Sequence, residues 1–168
     1  MGLLQKILVT PTPRIALVWG KMLSAGIRGL CQAVIVFLFA LVLHISLNIT
    51  LFSILGVIAI VLLGAGFFTG LSMIVASIVK TRERFMGIGQ VITLPLFFAS
   101  NAIYPIDIMP RWLQVVANGN PLSYMVDGLR SLLVTGNLSR LPFDFGVLIV
   151  AALIISAISA YMYPKVIS

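Results

Sequence analysis

Residues 29–79 read GLCQAVIVFLFALVLHISLNITLFSILGVIAIVLLGAGFFTGLSMIVASIV, and between Arg28 and Lys80 only His44 and the Cys31 thiol can ionise. A helix needs about 20 apolar residues to cross a hydrocarbon core about 30 Å thick. The stretch is far too long for one crossing, so the chain must fold back within it. The polar break "HISLNIT" marks the turn, which predicts spans over 22–43 and 51–79. Two further uncharged runs, 85–103 and 145–163, each reach the length of a single span.

Only helices and closed barrels satisfy their own backbone groups in lipid. The runs lack the sustained apolar/polar alternation of barrel strands. The expected fold is therefore all-α: a polytopic helical membrane protein with four transmembrane helices in a single membrane domain, 1–168. Composition agrees, with 61% hydrophobic and 9% charged residues in a chain of 168, against about 25% charged in soluble domains.

The net charge of +7 is divided by position. Lys6, Arg14, Lys21, Arg28, Lys80, Arg82, Arg84 and Lys165 flank one side of the expected membrane. Arg111, Arg130 and Arg140 fall on the other, opposite Asp107, Asp127 and Asp144. The positive-inside rule then makes both termini cytoplasmic, in a multi-pass protein of the plasma (inner) membrane. The cations sit at membrane flanks without an aromatic platform, so nucleic acid is not an expected partner. Pro11, Pro13 and Arg14 interrupt the place where the apolar core of a cleavable signal would lie.

At the N-terminus, "LLQKILV" sets Leu3, Leu4, Ile7 and Leu8 on one face of a short helix. Thr12-Pro13 then reads as the cap and first turn of the next helix. Arg14, Lys21 and Arg28 follow at heptad spacing, which holds them near one stripe because the drift is only about 20° per heptad. Such a stripe either snorkels to lipid phosphates or faces a partner or a water-filled route. Gly66 and Gly70 have the small-xxx-small spacing that lets another helix approach closely. Pro95 predicts a kink in the third run, as a packing feature or a gate. No Asp, Glu, Lys or Arg is placed by this division at the centre of any span.

Residues 104–144 cannot cross a bilayer: they hold Pro105, Pro110, Pro121 and Pro142, an Asn-Gly-Asn triplet and several charges. Pro110 is expected to open a short helix that ends at Asn118-Gly119, and Asn120 to cap a second beginning at Pro121. In the second, Leu122, Met125, Val126, Leu129, Leu132 and Leu133 recur at helical spacing, with Ser123, Asp127, Arg130 and Ser131 opposite. These read as two short outer interfacial or re-entrant helices, with Trp112, Tyr104 and Tyr124 suited to that depth. Asp127 and Arg130, three residues apart, are placed to pair.

Catalytic chemistry has no obvious seat. One histidine, one cysteine and four carboxylates are spread over distant segments, without metal-ligand spacing or a Gly-x-Ser-x-Gly elbow. "GIGQVI" from Gly87 lacks the third glycine of a dinucleotide loop, and no nucleotide phosphate loop occurs. A bundle of this kind can move a solute uphill only if another chain supplies the energy. It could otherwise be a non-transporting anchoring or assembly subunit.

Two stretches bring a family into view. "GLLQKILVTPTPRIALVWGKML", residues 2–23, resembles the cytoplasmic segment of type-2 ABC transporter permeases. "LPLFFASNAIYPIDIMPRWLQVVANGNPLSYMVDGLR", residues 94–130, resembles that family's fifth span and the re-entrant outer helices after it. Pro105, Pro110, Asn120, Pro121, Tyr124, Asp127 and Arg130 fall where the family has them. Asn101 departs from it, taking a place usually held by a small residue. The resemblance implies a permease subunit of an ATP-driven exporter moving an amphipathic substrate of the drug, lipid or polysaccharide class. It implies no catalytic residue, metal or cofactor in this chain, ATP being bound by a cytoplasmic ABC ATPase partner, and a second permease copy completing a dimer. Residues 1–13 would be the coupling segment, with Leu4, Ile7, Leu8, Thr10, Pro11 and Arg14 seated in the ATPase. Pro105 to Arg130 would form the outer gate. Family members have six spans and this chain the equivalents of the last four, so it reads as a fragment of a longer permease.

Overall fold

The computed structural model describes residues 14–79 and 81–162, and among these every regular element is helical. The elements are α1 (Arg14–Val42), α2 (Leu51–Ile78), α3 (Arg82–Phe98), a 3-10 turn (Ile106–Ile108), α4 (Arg111–Gly119), α5 (Pro121–Arg130), a π-helical turn (Ser131–Thr135) and α6 (Leu141–Met162). Three helices are long and apolar enough to cross a membrane: α1 from Val18, α2 and α6. The protein is thus a multi-pass membrane protein. The third apolar run is helical over only the 17 residues of α3, about 25 Å at 1.5 Å per residue. Its helix ends five residues before Ile103, because Ala99 and Ser100 close it with bonds back to Pro95 O at 2.8 Å and Phe97 O at 3.2 Å.

The turn at 43–50 is built by its own chemistry. His44 takes a left-handed conformation with φ 53°. Its N–H donates to Leu41 O at 3.0 Å and that of Ile45 to Ala40 O at 3.1 Å, the paired bonds that close a helix C-terminus without glycine. Thr50 then starts α2, its hydroxyl accepting from the Ser53 N–H at 3.1 Å.

α2 is the central helix, packed along both α1 and α6. Lipid is as apolar as leucine, so close approach at small residues rather than apolarity decides such packing. A Cβ added at Gly70 would meet Ile155 Cγ2 at 2.7 Å and Met22 Cε at 2.9 Å. At Gly66 it would meet nothing within 4 Å. That glycine instead lines an open apolar groove of about 400 Å³ with Trp19, Leu23, Leu153 and Ser156. The buried centre is at the opposite end of α2, where Ile60, Leu132, Leu141 and Leu148 cluster.

Candidate functional site: a helical cap at one end of the bundle

The segment from Ala99 to Arg140 caps the half of the bundle that carries the 43–50 turn, with α5 lying along α2: Cβ atoms added at Gly56 and Gly64 would meet Leu132 and Met125. The backbone N–H of Asn48 donates to Leu133 O at 2.8 Å and its side chain to Val134 O at 3.1 Å. The turn between α1 and α2 is therefore clamped to the π-helical end of α5. Gly136, at φ 66°, then reverses the chain toward α6.

Each proline of the cap opens a short element. Pro105 O accepts from the Ile108 N–H at 3.2 Å, which makes the 3-10 turn, and Pro110 O accepts from the Leu113 N–H at 2.9 Å at the start of α4. Pro121 occupies the first position of α5, where its missing N–H costs nothing. α4 buries Ala117 completely and leaves Trp112 69% and Val115 74% exposed. That apolar outer face suits the membrane interface.

Asn120 ties the two principal pieces together. Its Oδ1 accepts from the Leu122 N–H at 3.0 Å, capping α5. Its Nδ2 donates to Leu96 O at 2.6 Å, one of the carbonyls that α3 leaves open at its own C-terminus. One side chain, 3% exposed, thus closes one helix and starts another. Tyr124 adds a bond from its hydroxyl to Asn118 O at 2.5 Å, and its ring meets that of Phe143 edge to face at 5.9 Å.

Asp127 and Arg130 were expected to pair with each other; the structure puts Asn101 between them. The Asn101 Nδ2 donates to Asp127 Oδ1, and Arg130 Nη2 donates to Asn101 O at 3.1 Å. The reason is geometric: the turn after α3 brings a residue with both a donor and a carbonyl against the polar face of α5. Asn101 is the residue sequence reasoning passed over. Its signal was there, since a bulky amide stood in a place suited to a small residue. Asn48 was likewise read only as part of the polar break "HISLNIT".

The structure brings Asn120, Pro121, Tyr124, Asp127 and Arg130 together on α5, with Pro105 and Pro110 shaping the approach to it. Leu4, Ile7, Leu8, Thr10 and Pro11 lie outside the described residues, and Arg14 is the first residue of α1. Among the described residues no group of three or more His, Cys, Asp or Glu is placed to hold a metal ion.

Residues 1–134 match the family model described as ABC-2 type transporter. The chain belongs to that family. It is 30% identical over 132 residues to a putative transport permease, ycf38, of Cyanophora paradoxa, a match covering 78% of this chain and 45% of that relative. It is 26% identical over 81 residues to nodulation protein J of Rhizobium leguminosarum bv. viciae, covering 48% of this chain and 31% of the relative. It is 33% identical over 51 residues to the daunorubicin resistance ABC transporter permease protein DrrB1 of Streptomyces coeruleorubidus, covering 30% and 18%. The chain therefore spans less than half the length of these relatives. No solved structure matches it.

Proposed function

We propose that the chain is the membrane subunit of an ATP-driven exporter that moves an amphipathic substrate across the plasma (inner) membrane, both termini being cytoplasmic. Membership of the ABC-2 family supports the permease role. The name of one relative, daunorubicin resistance, favours a drug among the drug, lipid and polysaccharide classes of amphiphile. Energy comes from a cytoplasmic ATPase that binds the ATP, seated on Leu4, Ile7, Leu8, Thr10, Pro11 and Arg14. A second permease copy completes the path. In this reading α3, lengthened by the turn after Phe98, completes the set of four spans.

The observation that carries the mechanism is the double tie of the cap, Asn120 to the end of α3 and Asn101 to Asp127 and Arg130. Movement of α3 would pull directly on α5, so the cap acts as an outer gate. The π-helical turn and Gly136 supply the hinge at its far end, as short elements that absorb backbone change do in other switches.

Co-purification tests the coupling. The chain should bring down a nucleotide-hydrolysing subunit from detergent extracts, and the combined L4E, I7E and L8E variant should lose it. A complex that survives those three changes would remove the coupling segment from the mechanism.

A further inference from the structure

α2 and α3 leave a gap of about 190 Å³ between them, walled by Phe68 and Ser72 on one side and by Phe85, Gly89, Ile92 and Thr93 on the other. α2 runs from Leu51 to Ile78, so its midpoint falls between residues 64 and 65. The gap therefore lies past that midpoint, in the half of the bundle away from the 43–50 turn. The cap comes down to meet it. Met125 of α5 lies against Gly64, and the tip that joins α4 to α5 is one turn further along. There Asn120 donates to Leu96 O at 2.6 Å, and Thr93 stands one turn from Leu96 on α3. The tip of the cap thus roofs the gap.

Its walls combine two chemistries. Phe68, Phe85 and Ile92 are apolar, while each helix adds one hydroxyl, Ser72 from α2 and Thr93 from α3. Both of these residues are exposed, and neither hydroxyl makes a hydrogen bond among the described residues. Elsewhere on the same two helices hydroxyls close on their own backbone: Ser77 donates to Ile74 O at 2.6 Å and Ser100 to Phe97 O at 2.7 Å. A hydroxyl left open at membrane depth gains from any polar partner that reaches it. Gly89 keeps the gap open, since a Cβ there would meet nothing within 4 Å. Roughly 150 Å³ is enough to admit benzene. The gap therefore has room for one ring-sized group with its edge against the two hydroxyls.

We propose that the gap between α2 and α3 is a binding seat for an amphiphile's planar ring carrying a hydroxyl or carbonyl on its edge. Ser72 and Thr93 each donate or accept to that edge group, and the rings of Phe68 and Phe85 take the apolar face. A mostly apolar pocket with a few convergent polar groups is how small-molecule sites between helices are built. The seat lies directly under the Asn120 tie. A ring entering it bears on α3 one turn from Leu96, the carbonyl through which α3 holds the cap. The proposal deepens the export reading by naming the chemistry of the substrate, and rests on that reading for the direction of movement.

The test uses the full chain in phosphatidylcholine nanodiscs, with Cys31→Ser removing its only cysteine. Gly89→Cys then puts one thiol in the gap without removing any wall group. Val91→Cys, at a position that is exposed and does not line the gap, is the control. Labelling by benzyl methanethiosulfonate is timed alone and with 1-naphthol, naphthalene or 1-dodecanol at equal membrane-bound concentration. 1-Naphthol should slow labelling at 89 at least about fivefold, by mass action at a saturable site, and at 91 less than about twofold. Naphthalene and 1-dodecanol should slow 89 less than about twofold, since a site built around open hydroxyls rejects a ring without its polar edge. Ser72→Ala should reduce the protection by 1-naphthol to that of naphthalene. A thiol at 89 inert to the reagent would mean that a further helix fills the gap, and would overturn the proposal. So would equal slowing at 89 and 91, or protection by 1-dodecanol or naphthalene as strong as that by 1-naphthol. Melting of the unaltered protein repeats the test without cysteines. 1-Naphthol should raise the melting temperature more than naphthalene does, and Gly89→Leu, which fills the gap, should abolish the difference. Equal melting of the unaltered protein with the two compounds overturns the proposal even where Gly89→Cys folds poorly. The assay needs neither ATPase nor transport, so it can fail while the permease reading stands.

Discussion

α2 and α3 are neighbours, yet they are held in opposite ways. α2 buries Ser53, Ile60, Gly64, Gly70, Met73 and Val75, whereas no described side chain of α3 is buried. A gap of about 190 Å³, lined by Phe68, Ser72, Phe85, Gly89 and Thr93, separates the two. Gly87 and Gly89 of α3 have nothing within 4 Å of an added Cβ, so small residues alone do not make a packed face. α3 is fixed at its C-terminal end, by Asn120 on Leu96 O and by the Asn101 turn. The contrast separates a strut from an arm: one helix is packed along its length, the other is tied chiefly at the cap.

The largest effect that can test this contrast is expected where α2 meets the cap. Leu132, 1% exposed in the cluster with Ile60, Leu141 and Leu148, should cost about 2–5 kcal/mol when cut to alanine. Thermal unfolding in detergent would measure it. A Leu132→Ala protein that melts like the parent would mean the strut is not anchored there.

Next comes the pair of glycines on α2. Gly70→Leu should lose about 1–3 kcal/mol through overpacking against Ile155 and Met22. Gly66→Leu enters the open groove and should stay within about 0.5 kcal/mol of the parent. Equal losses at the two sites would show that a further helix fills the groove.

The attachment of α3 is tested by Asn101→Ala, which removes the bond to Asp127 and should cost about 1 kcal/mol. Amide exchange is the sharper readout. Residues 102–118 should exchange faster while α5, still capped by Asn120, keeps its protection. The smallest change is expected on the arm itself. Val91, 70% exposed on α3, should tolerate alanine within about 0.5 kcal/mol, and a loss above about 2 kcal/mol would place it in a core and erase the distinction.

Much of the cap was legible because its elements begin with local signals. Pro110, Asn120 and Pro121 act within one turn of where they stand, so the starts of α4 and α5 could be read from the chain. α6 shows a signal overlooked: it begins at Leu141 rather than Phe145, with Pro142 and Asp144 in its first turn, both good helix openers that a hydropathy reading discards as polar. The end of α3 at Phe98 was hidden for the converse reason, since Ala99–Ile103 is apolar enough to continue a span while Ser100 closes it by bonding Phe97 O at 2.7 Å.

From the sequence alone came the membrane character, the helical class, the turn at His44 to Thr50, the two short helices of the cap and the family resemblance. All of these rest on composition and on signals spanning a few residues, which act through the backbone's own hydrogen bonds and the cost of leaving them open in lipid. Which faces meet was decided by tertiary structure. Gly70 and not Gly66 receives a neighbour, and Asn101 stands between Asp127 and Arg130. In lipid no apolar surface is driven from solvent, so helix partners follow from shape and from isolated polar ties between segments distant in the chain, and those are set only when the helices are assembled.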